Sequence, residues 1–303
     1  MLALPGAVEA DGIDAGVAAH YGDPFREQKA LLAGEGFVDL SHRDVVRVSG
    51  PDRLGWLHSL TTQQLECLAP HTAVTTLVLS PHGRVEHAMS GYDDGESFWA
   101  HVEPGAAPAL VGWLDSMRFM MRVEVADVSA EWAAVAHSAT AVELVRRTGL
   151  ADGASGTPCG VWAFEALRIA RGEARFGQDT DQRTIPNEVG WIGSAVHLEK
   201  GCYRGQETVA RVYTLGRPPR RLVLLHLDGS VDQLPASGDS VELDGRQVGF
   251  VGSAARHFEL GPVALAVVKR NVPVDAQLLA GGVAAAQEVL VDPEVGLHVR
   301  ARL

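Results

Sequence analysis

The sequence predicts an α+β chain that closes with an all-β module. Three observations carry this reading. Strand-like and helix-like segments mix along the first two-thirds of the chain. A boundary of glycine, two prolines and charge then falls at LGRPPRR, residues 215–221. Beyond it lie six short alternating segments in about eighty residues, separated by turns, which suggest a small barrel or sandwich.

The elements follow in order. The opening MLALPGAVEADGIDAG has no basic region and carries Glu9, Asp11 and Asp14, so it reads as a loosely ordered arm and not as a secretory signal. RDVVRV (43–48) is a strand, and SGPD (49–52) opens a helix with Ser49 or Gly50 as cap, Pro51 in the first turn and Asp52 at the positive end of the dipole. Residues 73–92 alternate as a hairpin turning at Pro81-His82-Gly83. A strand near 97–102 precedes a helix around 106–118 that buries Leu110, Trp113, Leu114 and Met117.

Residues 121–129 and 131–137 read as strands, AVELVRRTGL (141–150) as a short helix stopped by Gly149, and WAFEALRIARG (162–172) as a helix ended by glycine. Residues 174–191 show no period and form a long loop of the kind that tends to carry function. GQETVARVY (205–213) is a short helix. The closing strands are RLVLLHL, SVEL, RQVGFVGS, PVALAVV, AQLLA and VAAAQEVLV, with turns at Asp244-Gly245, Gly261-Pro262 and Gly281-Gly282.

Composition excludes several classes of function. No apolar run approaches eighteen residues, which excludes a membrane-spanning helix and fits a cytoplasmic protein. A net charge of −12 disfavours general binding to DNA, RNA or anionic membranes, because those partners are polyanions. Against that background Lys200, Arg204, Arg211, Arg217, Arg220 and Arg221 form a basic island with one acid, Glu207. It reads equally as the seat of one anionic ligand, as a docking surface or as a solvated loop. Cys67, Cys159 and Cys202 are too far apart for a C-x-x-C, and His82 and His87 share a face poorly, so no metal site is expected. Neither a P-loop nor a G-x-G-x-x-G is present.

Three motifs point further. DLSHRDVVRVSGPDRLGWLHSLTTQQLECL (39–68) and LRIARGEARFGQDTDQRTIPNEVGW (167–191) resemble segments of the glycine-cleavage T-protein (GcvT-like aminomethyltransferase) superfamily. KGCYRGQE (200–207) resembles the signature of one branch, the YgfZ-type folate-binding proteins. In order, the matches span about residues 37 to 290. The resemblance implies a three-domain cloverleaf around a central folate channel, ending in a β-barrel. The first domain would combine residues 15–50 and 120–215, the second would be an insertion at 51–119, and the barrel would occupy 220–303. It implies tetrahydrofolate as cofactor. It also implies a role in supporting iron–sulfur enzymes, including a tRNA-thiomethylating one, with those clients or their assembly proteins as partners. The alternative is a folate-dependent aminomethyltransferase or demethylase.

Carried onto this chain, Glu188 matches the pterin-binding glutamate. An ionised carboxylate accepts the adjacent N3–H and 2-amino donors of a pterin. Trp191 and Tyr203 would be flat walls for the ring, or simply core. Arg211 or Arg217 would pair the carboxylates of a folate tail. The aspartate that aminomethyl-transferring relatives carry after the hairpin turn has no counterpart here. Glu86 and His87 stand in its neighbourhood, and His87 keeps proton transfer open. Cys202, just before a helix start and near Lys200 and Arg204, would be favoured as thiolate and would be the reactive or partner-contacting group. Gly201 and Gly205 would allow sharp turning or close approach, and Gln206 and Glu207 would order the turn.

Overall fold

In the computed structural model, which describes residues 1–150 and 155–298, the chain forms two compact units. Met1–Leu77 and His87–Glu165 make the first, and Val78–Glu86 and Ala166–Leu303 the second. Residues 299–303, which the expected barrel domain includes, lie outside the described residues.

The first unit begins with β1 (Val8–Glu9) and β2 (Ala18–His20), an antiparallel ribbon. Of the expected loose arm, residues 1–16, Val8–Glu9 pair in this ribbon and Gly12–Asp14 form a 3₁₀ turn, so it is ordered although Val8 and Glu9 stay exposed. Val17, Ala18 and Ala19, just after it, are at most 2% exposed, so small apolar side chains bury β2. Helix α1 (Pro24–Leu32) follows, with Asp23 accepting from the Phe25 and Arg26 amides as its cap. Next come β3 (Gly36–Asp39), β4 (Asp44–Ser49) and α2 (Arg53–Leu60). The expected cap of α2 is corrected too. Asp52 occupies the cap position, yet its carboxylate accepts from Arg122 Nε (3.0 Å), Nη2 (2.7 Å) and backbone N (2.8 Å), and none of the helix amides.

The hairpin is β5 (Val74–Leu79) and β6 (Val85–Asp93), followed by β7 (Ser97–Val102), α3 (Ala107–Ser116) and β8 (Glu124–Asp127). Their sheet has the order β5-β6-β7-β4-β8. On α3, Leu110 and Leu114 are fully buried, whereas Trp113 and Met117 are half-buried. Then come β9 (Trp132–Ala136), β10 (Val142–Arg146) and β11 (Thr157–Cys159), in the sheet β10-β9-β3-β11. Here the expected helix over 141–150 gives way to a strand. Val142 to Arg146 pair in register with Ala136 to Trp132, and only a single 3₁₀ turn, Arg147–Gly149, follows. Cross-strand pairing has overridden a spacing that fits either period.

Helix α4 (Val161–Ala170) leads into the second unit, where α5 (Gln206–Leu215) precedes six strands. They are β12 (Arg220–Leu227), β13 (Ser240–Leu243), β14 (Arg246–His257), β15 (Gly261–Lys269), β16 (Gln277–Ala280) and β17 (Val283–Val289). They close into a barrel of order β12-β15-β14-β13-β16-β17, which removes every sheet edge. Gly261 pairs with His257 as the first residue of β15, so that turn sits just before Gly261-Pro262. Alternation on β12 sorts its two faces. Val223, Leu225 and Leu227 fill the interior with Val241, Val251 and Leu278, while Leu222 and Leu224 pack outward on Ala166, Ile169 and Val189. Each such burial is worth about 1.5–3 kcal/mol.

Candidate functional site

In the second unit the long loop, the signature segment and the hairpin tip are each held by identifiable contacts. The loop is anchored first by a buried ion pair. Arg168 of α4 donates from Nη1 to Asp179 Oδ2 at 2.8 Å, with side chains 7% and 0% exposed. Arg168 also donates to Ser253 Oγ (2.7 Å) and the Glu173 carbonyl, and the Arg175 amide donates to Asp179 Oδ2 (2.8 Å). Gly252 makes room for this, since a Cβ there would lie 2.1 Å from Asp179 Oδ1.

Nine residues after Asp179, Glu188, 1% exposed, is placed by a 3₁₀ turn (Pro186–Glu188) against the start of β12. Arg220 donates side-on, Nε to Oε1 at 2.9 Å and Nη2 to Oε2 at 2.8 Å, and the Ile185 amide adds a bond to Oε2 at 3.1 Å. The other edge of Arg220 bonds Asp181, Nη1 to Oδ2 at 2.7 Å and Nη2 to Oδ1 at 3.0 Å. Burial alone would push the Asp181 carboxyl up; the bonds from Arg220, the Arg183 amide and Thr184 outweigh it and hold the group well below the usual carboxylate range. Burial likewise works against the Arg220 charge, and its two carboxylates overcome that and raise it. Arg220 was not singled out as Glu188's partner from sequence. Its only signal was membership of the basic boundary LGRPPRR, since the strand read from sequence opens at Arg221.

The signature segment is built around Gly205, which takes a left-handed φ of +81° immediately before α5. A Cβ on Gly205 would lie 2.5 Å from the Ser80 carbonyl, and one on Gly83 would lie 2.7 Å from Thr208 Cβ. The two glycines thus let the hairpin tip and the helix start meet backbone to backbone. Arg204 pairs with Glu86 at 3.2 Å, and the Val85 amide bonds the Thr184 carbonyl at 2.9 Å. Lys200 is 5% exposed, with its ammonium 5.0 Å from the centre of the Tyr203 ring. Burial pushes Lys200 down to about 8 and Tyr203 up to about 12. Cys202 and Gly201 are exposed, four and five residues before α5, and Gln206 is the helix's half-buried first residue. Of the two cations expected to attend the thiol, Lys200 sits over Tyr203 and Arg204 pairs with Glu86.

The remaining predicted residues are dispersed. Trp191 packs against the outward face of the barrel. Arg211 pairs with Glu207 across one turn of the exposed face of α5. Arg217 pairs with Glu294 at 3.1 Å, and Arg221 is fully buried. The basic island of the sequence is therefore not a surface patch. Strand alternation sends Arg220 and Arg221 to opposite faces, and the exposed members carry their own carboxylates.

The fold defined by these elements has a close counterpart. The glycine cleavage system aminomethyltransferase T of Bartonella henselae superposes with a TM-score of 0.77 over 96% of this chain and 94% of that one, at 18% identity. Among curated proteins, an aminomethyltransferase of Geobacillus kaustophilus is 29% identical over 81% of this chain and 82% of its own length. One from a Nostoc species is 27% identical over 80% and 79%. A chloroplastic protein of Arabidopsis thaliana under a provisional transferase name is 25% identical over 74% of this chain and 64% of its own length. No family model matches the chain. In sequence the chain is thus similar to aminomethyltransferases, and its fold is that of the glycine cleavage system aminomethyltransferase T.

Proposed function

We propose that the chain is a tetrahydrofolate-binding protein that supports iron–sulfur enzymes, with Glu188 as the pterin anchor and Cys202 as the reactive or partner-contacting group. The observation that carries the reading is the buried, doubly fixed carboxylate of Glu188 in the motif P-N-E. A carboxylate offers about four acceptor positions. Three are used here, two by Arg220 and one by the Ile185 amide. To accept a pterin's two donors side by side, Glu188 must be released by Arg220. Asp181 provides for that, because its two bonds keep the guanidinium compensated when the Glu188 edge is given up. The residues therefore fit the group by exchange of partners. Bound folate supplies a carrier for one-carbon units, and the protein's share is to orient and desolvate the ring.

Trp191, Tyr203 and Arg211 remain candidate folate contacts, and the folate channel among three domains belongs to the same reading. So do a cytoplasmic location and iron–sulfur clients that include a tRNA-modifying enzyme. No helix among the described residues is long and apolar enough to cross a membrane. The reading is tested by isothermal titration with tetrahydrofolate. Wild type should bind and Glu188→Gln should bind at least about tenfold more weakly, the loss of one charge-assisted pairing. Absence of binding by wild type, or equal binding by the variant, defeats it.

A second reading, folate-dependent aminomethyl transfer, is favoured by the names of the relatives. Against it, Glu86 in the region of the missing aspartate is tied to Arg204. Formation of methylenetetrahydrofolate from a methylamine donor would establish transfer instead.

A further inference from the structure

Arg221 is the second residue of β12 and points into the barrel, on the same face as Val223 and Leu225. It is 0% exposed. Its Nη2 donates to Gln287 Oε1 at 2.7 Å and to the Val272 carbonyl at 3.1 Å. Gln287 in turn donates to the Pro273 and Ala276 carbonyls at 2.8 and 3.2 Å, fastening the loop that closes this end. Among the described residues, Nε and Nη1 of Arg221 meet no acceptor.

Asp292 acts on Arg221 only through space, with no ion pair among the described residues. Burial correspondingly lowers the Arg221 pKa against the pull of Asp292. A plug that merely closed a barrel would not need a charge, and an apolar residue of similar volume would close it without the desolvation penalty.

We propose that this end of the barrel binds one small inorganic anion, of halide size, against the unpartnered Nη1 amino group of Arg221. Nη1 provides two N–H donors, and the guanidinium supplies the compensating charge. The site lies on the interior face of β12, opposite the face that carries Arg220, and stands independently of any folate reading. A divalent or bulky anion is disfavoured by the apolar interior cluster that holds Val268, Val272 and Leu225, all at most 4% exposed.

The test has two arms on the full chain. Crystals grown in sodium bromide and measured at the bromine edge should show an anomalous peak in contact with Arg221 Nη1. In solution, replacing sodium methanesulfonate by sodium chloride at equal ionic strength should raise Tm by about 2–4 °C, the response to about 1 kcal/mol of ligand stabilisation. Arg221→Met should lose that difference. A bromide-soaked structure without a peak at Nη1 overturns the proposal, as does an equal chloride response in Arg221→Met. Should the variant not fold, the bromide arm decides alone.

Discussion

Replacing Asp179 by leucine tests the frame that holds the candidate site. The substitution removes the carboxylate from Arg168, whose side chain is 7% exposed and which also donates to Ser253 Oγ and the Glu173 carbonyl. It also orphans the Arg175 amide, bonded to the same oxygen at 2.8 Å. Breaking a buried pair by deleting one partner costs about 3–5 kcal/mol, because the other charge stays buried without its counter-ion. Arg168→Met alone should cost a similar amount, because Asp179, 0% exposed, loses the Arg168 charge. The double variant replaces both charges by apolar groups, and its loss should fall well below the sum, by at least about 2 kcal/mol. Equilibrium urea unfolding followed by tryptophan fluorescence and far-ultraviolet dichroism measures all four proteins of this cycle. Single losses below about 1 kcal/mol, or a double loss equal to the sum, would refute a coupled buried pair.

Two further substitutions probe the same unit. Gly205→Ala places a Cβ 2.5 Å from the Ser80 carbonyl at a φ of +81°, so it should cost at least about 1–2 kcal/mol and speed proteolysis at the hairpin tip; unchanged cleavage would count against the glycine contact. Lys200 gives a pH signature. Its pKa is lowered from 10.5 to about 8 in the fold, so between those values the unfolded chain binds more protons and stability rises with pH. That contribution is complete above 10.5 and lost as pH falls through about 8. Arrayed against pH, the stability difference between wild type and Lys200→Met should climb across this window, and a flat difference would exclude the buried ammonium.

Some of this was legible in the sequence for plain reasons. The barrel strands alternate cleanly because one face is core and the other packs on α4 or meets solvent, and every turn but one fell where glycine or Asp-Gly allowed it. Val142 to Arg146 was misread because V-E-L-V-R satisfies both periods over so short a run. Only the partner strand β9 decides between them. The opening ribbon escaped because two- and three-residue strands carry no period at all. At the site, Glu188 was visible through its motif. Its link to Arg220 was hidden because 32 residues separate them and no local rule relates them. Charge counted along the chain misled most at Arg220 and Arg221. Adjacent in sequence, they look outward and inward on one strand.

The hairpin tip adds a consequence for biosynthesis. Residues 78–86 belong with the second unit, yet Val85 meets Thr184, 99 positions later, and Ser80 faces Gly205. At 5–20 residues per second, a ribosome needs about 5–20 s to deliver Thr184 after Val85. For that interval the tip must stay open at a nascent chain whose final partners do not yet exist. Truncation before Thr184 therefore strands the tip permanently. Neither unit can be released from the other by a single cut in the gene.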